Sequence, residues 1–124
     1  MSKHKENLRK RRLRDQENHV CTNCRKRPSD TKGVKCRICK VATSINTINR
    51  KHSLEIKKED VYIYDDNQTC AICNTEMNKP CLDHCNINGN FRDWLCYKCN
   101  TGLGFFEDSI DLVEAVAEYL KKHK

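Results

Sequence analysis

Eight of the ten cysteines in this 124-residue chain form four Cys-x-x-Cys pairs, at positions 21/24, 36/39, 70/73 and 96/99. Each such turn presents two thiolates to one tetrahedral ion, so two successive pairs complete a site. Taken in order, Cys21, Cys24, Cys36 and Cys39 hold one structural zinc, and Cys70, Cys73, Cys96 and Cys99 another. Interleaved pairing, as in a cross-braced finger, is a less simple alternative. Disulfides are a second alternative, because an even cysteine count in a short chain often marks a secreted scaffold. The opening Met-Ser-Lys-His-Lys-Glu has no apolar run and no cleavage site, which points to a cytoplasmic protein and hence to zinc. Some staple is required: aromatic residues are 6% of the chain and charged residues 33%, so the apolar core is thin. No segment approaches the roughly 20 apolar residues of a transmembrane helix, and no membrane is expected among its partners.

The formal net charge of +7 is unevenly placed. Residues 1–58 hold 18 Lys and Arg against 5 Asp and Glu, a balance of +13, whereas residues 59–124 hold 6 against 12, a balance of −6. Two four-thiolate zinc sites, each with a net charge of −2, would bring the whole chain to about +3. The pull on any polyanion must therefore come from the first half.

Four segments follow along the chain. Residues 1–18 are a basic arm, disordered when unbound, in which Lys3, Lys5, Arg9, Lys10, Arg11, Arg12 and Arg14 can neutralise nucleic-acid phosphates. Residues 19–40 are a four-cysteine zinc knuckle decorated by Arg25, Lys26, Arg27, Lys32, Lys35 and Arg37, with Pro28, Ser29, Asp30 and Gly33 marking turns. Residues 41–66 are a linker helix and connection. Val41, Ile45, Ile48, His52 and Ile56 fall there at helical spacing, and His52 reads as a packed or surface residue. The alternation around Tyr62 and Tyr64 fits either a short strand or a helix running into the cysteines. Residues 67–124 form the second zinc unit. In it a strand over 80–84, a turn containing Asn88-Gly89 and a strand over 91–95 make a hairpin between two knuckles. A final helix follows, capped by Asp108 or Ser109, with Leu112, Val113, Val116, Ala117 and Leu120 on one face. The zinc-pinned hairpin is the nearest surface for that face.

A closed four-thiolate site has no open coordination position and serves structure. Asp83, His84 and Asn100 are a different kind of set. A carboxylate and an amide oxygen suit a hard cation such as Mg2+ or Mn2+, whose remaining positions go to water and substrate phosphate. A histidine with an ordinary pKa near 6.5 can take a proton from water. Adjacent strand residues point to opposite faces, so Asp83 and His84 can serve one phosphate only at a strand end or a bulge. The reaction such a set supports is metal-assisted phosphodiester hydrolysis.

Several motifs together carry a family resemblance: Cys70-Ala-Ile-Cys73, Leu82-Asp83-His84, Arg92 before Cys96, Cys96-x-x-Cys99-Asn100 and Gly102-Leu103-Gly104. Over roughly residues 68–121 the chain resembles the phage recombination endonuclease VII family, zinc-containing ββα-metal (HNH-like, His-Me finger) nucleases. The resemblance implies a small α+β fold, with a zinc-stabilised ββα-metal unit and C-terminal helix preceded by the four-cysteine knuckle and linker helix. It implies that Asp83 and Asn100 bind the catalytic Mg2+ or Mn2+, that His84 is the general base, and that Cys70, Cys73, Cys96 and Cys99 hold zinc. It also implies a DNA endonuclease that acts on branched DNA, as a Holliday-junction resolvase does, or that nicks. Arg92 joins the basic residues above as an expected DNA contact. Paired nicks on a junction need two active sites, hence a homodimer, to which the 40–58 helix can contribute. If the protein is phage-encoded, its compartment is the host cytoplasm.

The chain departs from the family pattern in two places. The family's Asp-His-Asp-His is here Asp83-His84-Cys85-Asn86, and its Arg-Gly-Leu-Leu-Cys is Arg92-Asp93-Trp94-Leu95-Cys96. Cys85 reads as a surface thiol and Cys81 as a small buried residue. These departures support the alternative function, a non-catalytic two-zinc nucleic-acid-binding or regulatory protein with a degenerate nuclease site.

Overall fold

The computed structural model describes residues 2–30 and 34–124, so Lys32 and Gly33 of the first knuckle lie outside the described residues. The chain divides into two compact units, Met1–Ser53 and Leu54–Lys124. The described residues contain four α-helices and one two-stranded antiparallel sheet.

In the first unit, α1 spans Lys3–Glu17, the stretch expected to be a disordered arm. Lys, Arg, Leu, Gln and Glu are good helix formers, and no Gly or Pro interrupts them. Ser2 caps the helix by accepting from the Lys5 N–H at 3.3 Å. Glu6 and Lys10 pair one turn apart at 3.1 Å. Only Asp15 is buried, and it receives the Arg25 guanidinium, Nε to Oδ2 at 2.9 Å. The helix is therefore anchored at its C-terminal end and exposed along the rest of its length.

Helix α2 spans Arg37–His52, so it begins inside the first cysteine unit and carries Cys39. Val41 and Ile45 are its buried face, and Ser53 ends it in the left-handed conformation. Asp30 ties the preceding turn to this helix, accepting from Arg37 Nη2 at 3.1 Å and Lys40 Nζ at 3.2 Å. Burial raises the Asp30 pKa, but these two cations outweigh it and bring it down to about 2.

The second unit opens with a short 3-10 turn, Lys58–Asp60. Residues 61–64 then run without strand or helix pairing and lay their side chains on the hairpin. The Tyr62 ring meets Phe91 edge-on at 5.5 Å and Tyr64 meets Trp94 at 4.8 Å. Trp94 is 1% exposed, and its Nε1–H donates to the Tyr62 carbonyl at 2.9 Å. This indole is the largest fully buried side chain and the centre of a small core. Tyr62 also donates its hydroxyl to Asp93, and burial followed by that carboxylate pushes its pKa up to about 12.

The hairpin pairs β1, Cys81–His84, with β2, Phe91–Leu95. Its turn closes through the Gly89 N–H on the Cys85 carbonyl and the Cys85 N–H on the Asn90 carbonyl, both 2.8 Å. Gly89 has φ +74°, a backbone that only glycine adopts without strain, and a Cβ there would meet Leu54 at 3.0 Å. After β2 comes α3, Tyr97–Phe105, packed against β1. The last helix, α4, spans Ile110–Lys122. Ser109, not Asp108, caps it, accepting from the Leu112 N–H at 3.2 Å. Its apolar face is not covered by the hairpin: Leu112, Val113, Tyr119 and Leu120 are all exposed. No described helix is long and apolar enough to cross a membrane.

Candidate active site

The hairpin is held at its base by cysteines. Cys70 and Cys73 lie in a tight turn closed by the Cys70 N–H on Thr75 and the Asn74 N–H on Cys70. Asn74 takes a positive φ of 59° to make it. Cys96 caps α3, its sulfur accepting from the Cys99 N–H at 3.4 Å, so the second pair sits on the first turn of that helix. The four sulfurs lie within 4.8 Å of one another, and Cys73 and Cys96 are 3.8 Å apart. A tetrahedron with metal–sulfur bonds of about 2.3 Å has an edge of about 3.8 Å. Cys21, Cys24, Cys36 and Cys39 make a second group of the same dimensions, with Cys24 and Cys36 also 3.8 Å apart. All ten cysteines are thiols, and these separations are far beyond the roughly 2.05 Å of a disulfide.

Local polar groups favour the thiolate at Cys73 and Cys21, whereas burial and the neighbouring cysteines push Cys99 up to about 12 and, against the side-chain hydrogen bond of Asn23, Cys39 up to about 11. The Thr75 hydroxyl, 2.9 Å from the Cys73 sulfur, and the Thr75 N–H bring that thiol down to about 6. Burial raises Cys21, but backbone N–H groups of Cys36, Cys24 and Asn23 prevail and lower it to about 6. Arg27 approaches the sulfurs of Cys24 and Cys36 at 3.7 and 3.8 Å, which offsets the negative charge of a four-thiolate site. The expected DNA contact Arg27 is thus turned toward its own cysteines, and Arg25 toward Asp15. Lys3, Lys5, Arg9, Lys10, Arg11, Arg12, Arg14 and Lys26 are exposed.

Asp83 and His84 are the last two residues of β1, and the sheet register changes between them. Cys81, Leu82 and Asp83 oppose Leu95, Trp94 and Asp93 in regular order, but His84 opposes Phe91, which leaves Arg92 as an extra residue. This is a β-bulge, the feature required for neighbouring residues to serve one site. Asp83 is 7% exposed, and the His84 Nε2 atom is buried. Asn100 lies one turn into α3, the helix that packs on β1. The three residues are therefore on two contacting elements of one unit; α3 carries Cys99, and β1 pairs with the strand that leads into Cys96.

The bulge also re-aims Arg92. Its guanidinium grips Asp83 side-on, Nε to Oδ2 at 2.7 Å and Nη2 to Oδ1 at 2.9 Å. The same Nη2 reaches Asp108 Oδ1 at 3.3 Å, and Asn86 Nδ2 donates to the other Asp108 oxygen at 2.6 Å. Asp83, and then Asp108, raise the Arg92 pKa above its ordinary value. The two departures at 85 and 86 thus have structural partners. The Cys85 sulfur accepts from the Asn88 and Ile87 N–H groups, which lower its pKa and shape the turn, while Asn86 holds Asp108. Cys81 is only half-buried and lies outside both tetrathiolate groups.

Asp108 is the member of this network that sequence reading assigned elsewhere, as a helix cap. Only its acidic character could have marked it, because its partners are 16 and 22 residues away.

A β-hairpin followed directly by a packed helix, with four thiols at the base, defines a small α+β nuclease fold of the ββα-metal class. Residues 46–122 match the model of the recombination endonuclease VII family, and the chain belongs to that family. Among solved structures the chain is similar to the ββα-Me type II restriction endonuclease Hpy99I, with 27% identity and a TM-score of 0.47 over 85% of this chain. It spans 65% of that enzyme's length. A search of curated proteins found no match.

Two separate tetrathiolate groups predict two zinc ions per chain. Cys73→Ser and Cys24→Ser should each lower the zinc content by one, as measured by native mass spectrometry. Loss of both ions from either single variant would contradict separate sites.

Proposed function

We propose that this nuclease is a divalent-metal-dependent DNA endonuclease whose site is Asp83, His84 and Asn100. The observation that carries the reading is the bulge. It sets a buried carboxylate and an imidazole side by side at a strand end, on the strand against which the Asn100 helix packs. Zinc is the occupant we assign to the two tetrathiolate groups, since four thiolates at this spacing match its preferred tetrahedral shell. Asp83 and Asn100 offer oxygen donors that suit Mg2+ or Mn2+. When bound there, such an ion polarises the phosphate and stabilises the leaving oxygen. His84 takes a proton from the attacking water as its oxygen bonds to phosphorus and the P–O ester bond breaks.

The first unit holds 16 Lys and Arg against 4 Asp and Glu, whereas the second holds 8 against 13. We assign DNA attraction to the first unit, chiefly to the exposed cations of α1 and to Lys26. A charged helix can follow phosphates in any DNA, so this term supplies affinity and leaves sequence unread.

The finer reading is a branched substrate cut by a homodimer. Its support is α4, whose apolar residues lie uncovered. Ile110, Val113, Ala117 and Leu120 recur at intervals of three and four, as on a helix that pairs with another. A second copy fits this face. Antiparallel pairing sets Asp111 at one helix start beside Lys121 and Lys122 at the other's end, twice by symmetry.

The alternative, a DNA-binding protein with a degenerate site, draws on one observation: both Asp83 oxygens are occupied by Arg92. The two readings part on cleavage. With Mg2+, the zinc-loaded protein should nick supercoiled plasmid and cut a four-way junction, and His84→Ala should slow this by about 10²–10⁴-fold. DNA binding without cleavage by either protein would establish the alternative. In sedimentation the parent chain should be a dimer, and Leu120→Glu should yield monomers with zinc retained. A monomeric parent at micromolar concentration would remove α4 as the interface.

A further inference from the structure

We propose that Arg92 is a positioning residue that couples metal loading at Asp83 to DNA binding, closing Asp83 until a DNA phosphate draws its guanidinium away. This inference rests on the assignment of Asp83 as a metal ligand.

The geometry carries three parts of the argument. The first is competition. Both Asp83 oxygens accept from Arg92, at 2.7 and 2.9 Å, so the guanidinium holds the carboxylate that the cation needs. A divalent ion on the same oxygens would also sit against a permanent positive charge, since an arginine is not deprotonated in proteins. Arg92 in this position therefore weakens metal binding.

The second is mobility of the right partner. The Asp83 side chain is 10% exposed and that of Arg92 37%, so the arginine side chain is partly open to solvent while the carboxylate stays inside. Side-on pairing to a carboxylate and to a phosphate uses the same fork of N–H donors. Moving from Asp83 to a DNA phosphate thus exchanges one charge-assisted fork for another, and no buried donor is left without an acceptor.

The third is a tether. Asp108 also accepts from Nη2 of Arg92, at 3.3 Å, and Asn86 fixes Asp108 at 2.6 Å. Both lie outside β1, so Arg92 can leave Asp83 and remain beside the site. Asn86, one of the chain's departures from the family pattern, gains a function in this arrangement. The outcome is a protein that loads its metal poorly alone and well on DNA. By linkage, the metal must tighten DNA binding by the same factor.

The test uses the full, zinc-loaded chain and Mn2+ as the probe. Mn2+ affinity without DNA is read by electron paramagnetic resonance for the parent, Arg92→Met and Asp83→Asn. Affinity for a four-way junction is read by fluorescence anisotropy with and without Mn2+, in the His84→Ala background to prevent cleavage. Asp83→Asn gives the baseline effect of Mn2+ on DNA alone. Arg92→Met should bind Mn2+ about tenfold more tightly than the parent without DNA, within the usual range of coupling factors. Its Mn2+-dependent gain in DNA affinity should fall below the parent's, toward the Asp83→Asn baseline. Unchanged Mn2+ affinity in Arg92→Met, or an undiminished gain, overturns the proposal while leaving Asp83 as a ligand. Mn2+ binding by Arg92→Met, in which Asp83 is open, that is no tighter than by Asp83→Asn overturns the underlying site assignment as well. Should Arg92→Met lose its zinc, Arg92→Lys takes its place. Lysine keeps the charge without the fork, so a Mn2+-dependent gain in DNA affinity below the parent's supports the proposal and an undiminished gain overturns it.

Discussion

Four sulfurs drawn from the two ends of one hairpin are the constraint on which the second unit depends. Cys70 and Cys73 precede β1, and Cys96 and Cys99 follow β2 on the first turn of α3. One ion at these sulfurs closes the chain into a loop and fixes where the helix starts. The apolar support is slight: Trp94 with Tyr64 and Phe91 around it, and the buried Ile56, Val61, Leu82 and Leu95. A core of that size does not hold a hairpin and two helices without a staple. Metal coordination replaces hydrophobic area here. The same clamp leads into both elements that carry Asp83, His84 and Asn100.

Charge divides the molecule as sharply as coordination does. The first unit is basic and the second acidic, so the DNA affinity and the chemistry proposed for this chain are assigned to different units. Within the second unit most acidic groups near the site are already engaged. Asp83 and Asp108 share Arg92, and Asp93 accepts from Tyr62 and from the Trp94 N–H. A phosphate approaching the bulge therefore meets carboxylates whose charge is partly compensated. Arg92 is central to this balance, since it answers two of them.

Much of the arrangement was legible in the sequence. The cysteine spacing gave both tetrathiolate groups, because ligand pairing is a local property of each turn. Asn88-Gly89 between the two knuckles placed both strands within a residue of where they lie. The need for a bulge between Asp83 and His84 followed from strand geometry alone. Helix α3 was missed because Gly102 and Gly104 lower its propensity and its nine residues show no apolar stripe. The helical state of α1 was missed because a run of like charges reads as a disordered arm, whereas its capping serine and its Asp15 anchor decide otherwise. The link from Arg92 to Asp83 and Asp108 was illegible because it depends on the extra residue in β2 and on partners distant in sequence. For α4 the apolar stripe was clear but its occupant was not: a face of that kind states only that something covers it.

The central claim is that Asp83 and Asn100 hold a hard divalent ion beside His84, apart from the zinc groups. Paramagnetic relaxation in solution tests it most directly. Mn2+ added to the isotopically labelled, zinc-loaded chain with a non-cleaved DNA should broaden the amide resonances of Asp83, His84 and Asn100 most strongly within the second unit, and Asp83→Asn should remove that broadening. Broadening concentrated elsewhere, or none at these three residues, would contradict the account.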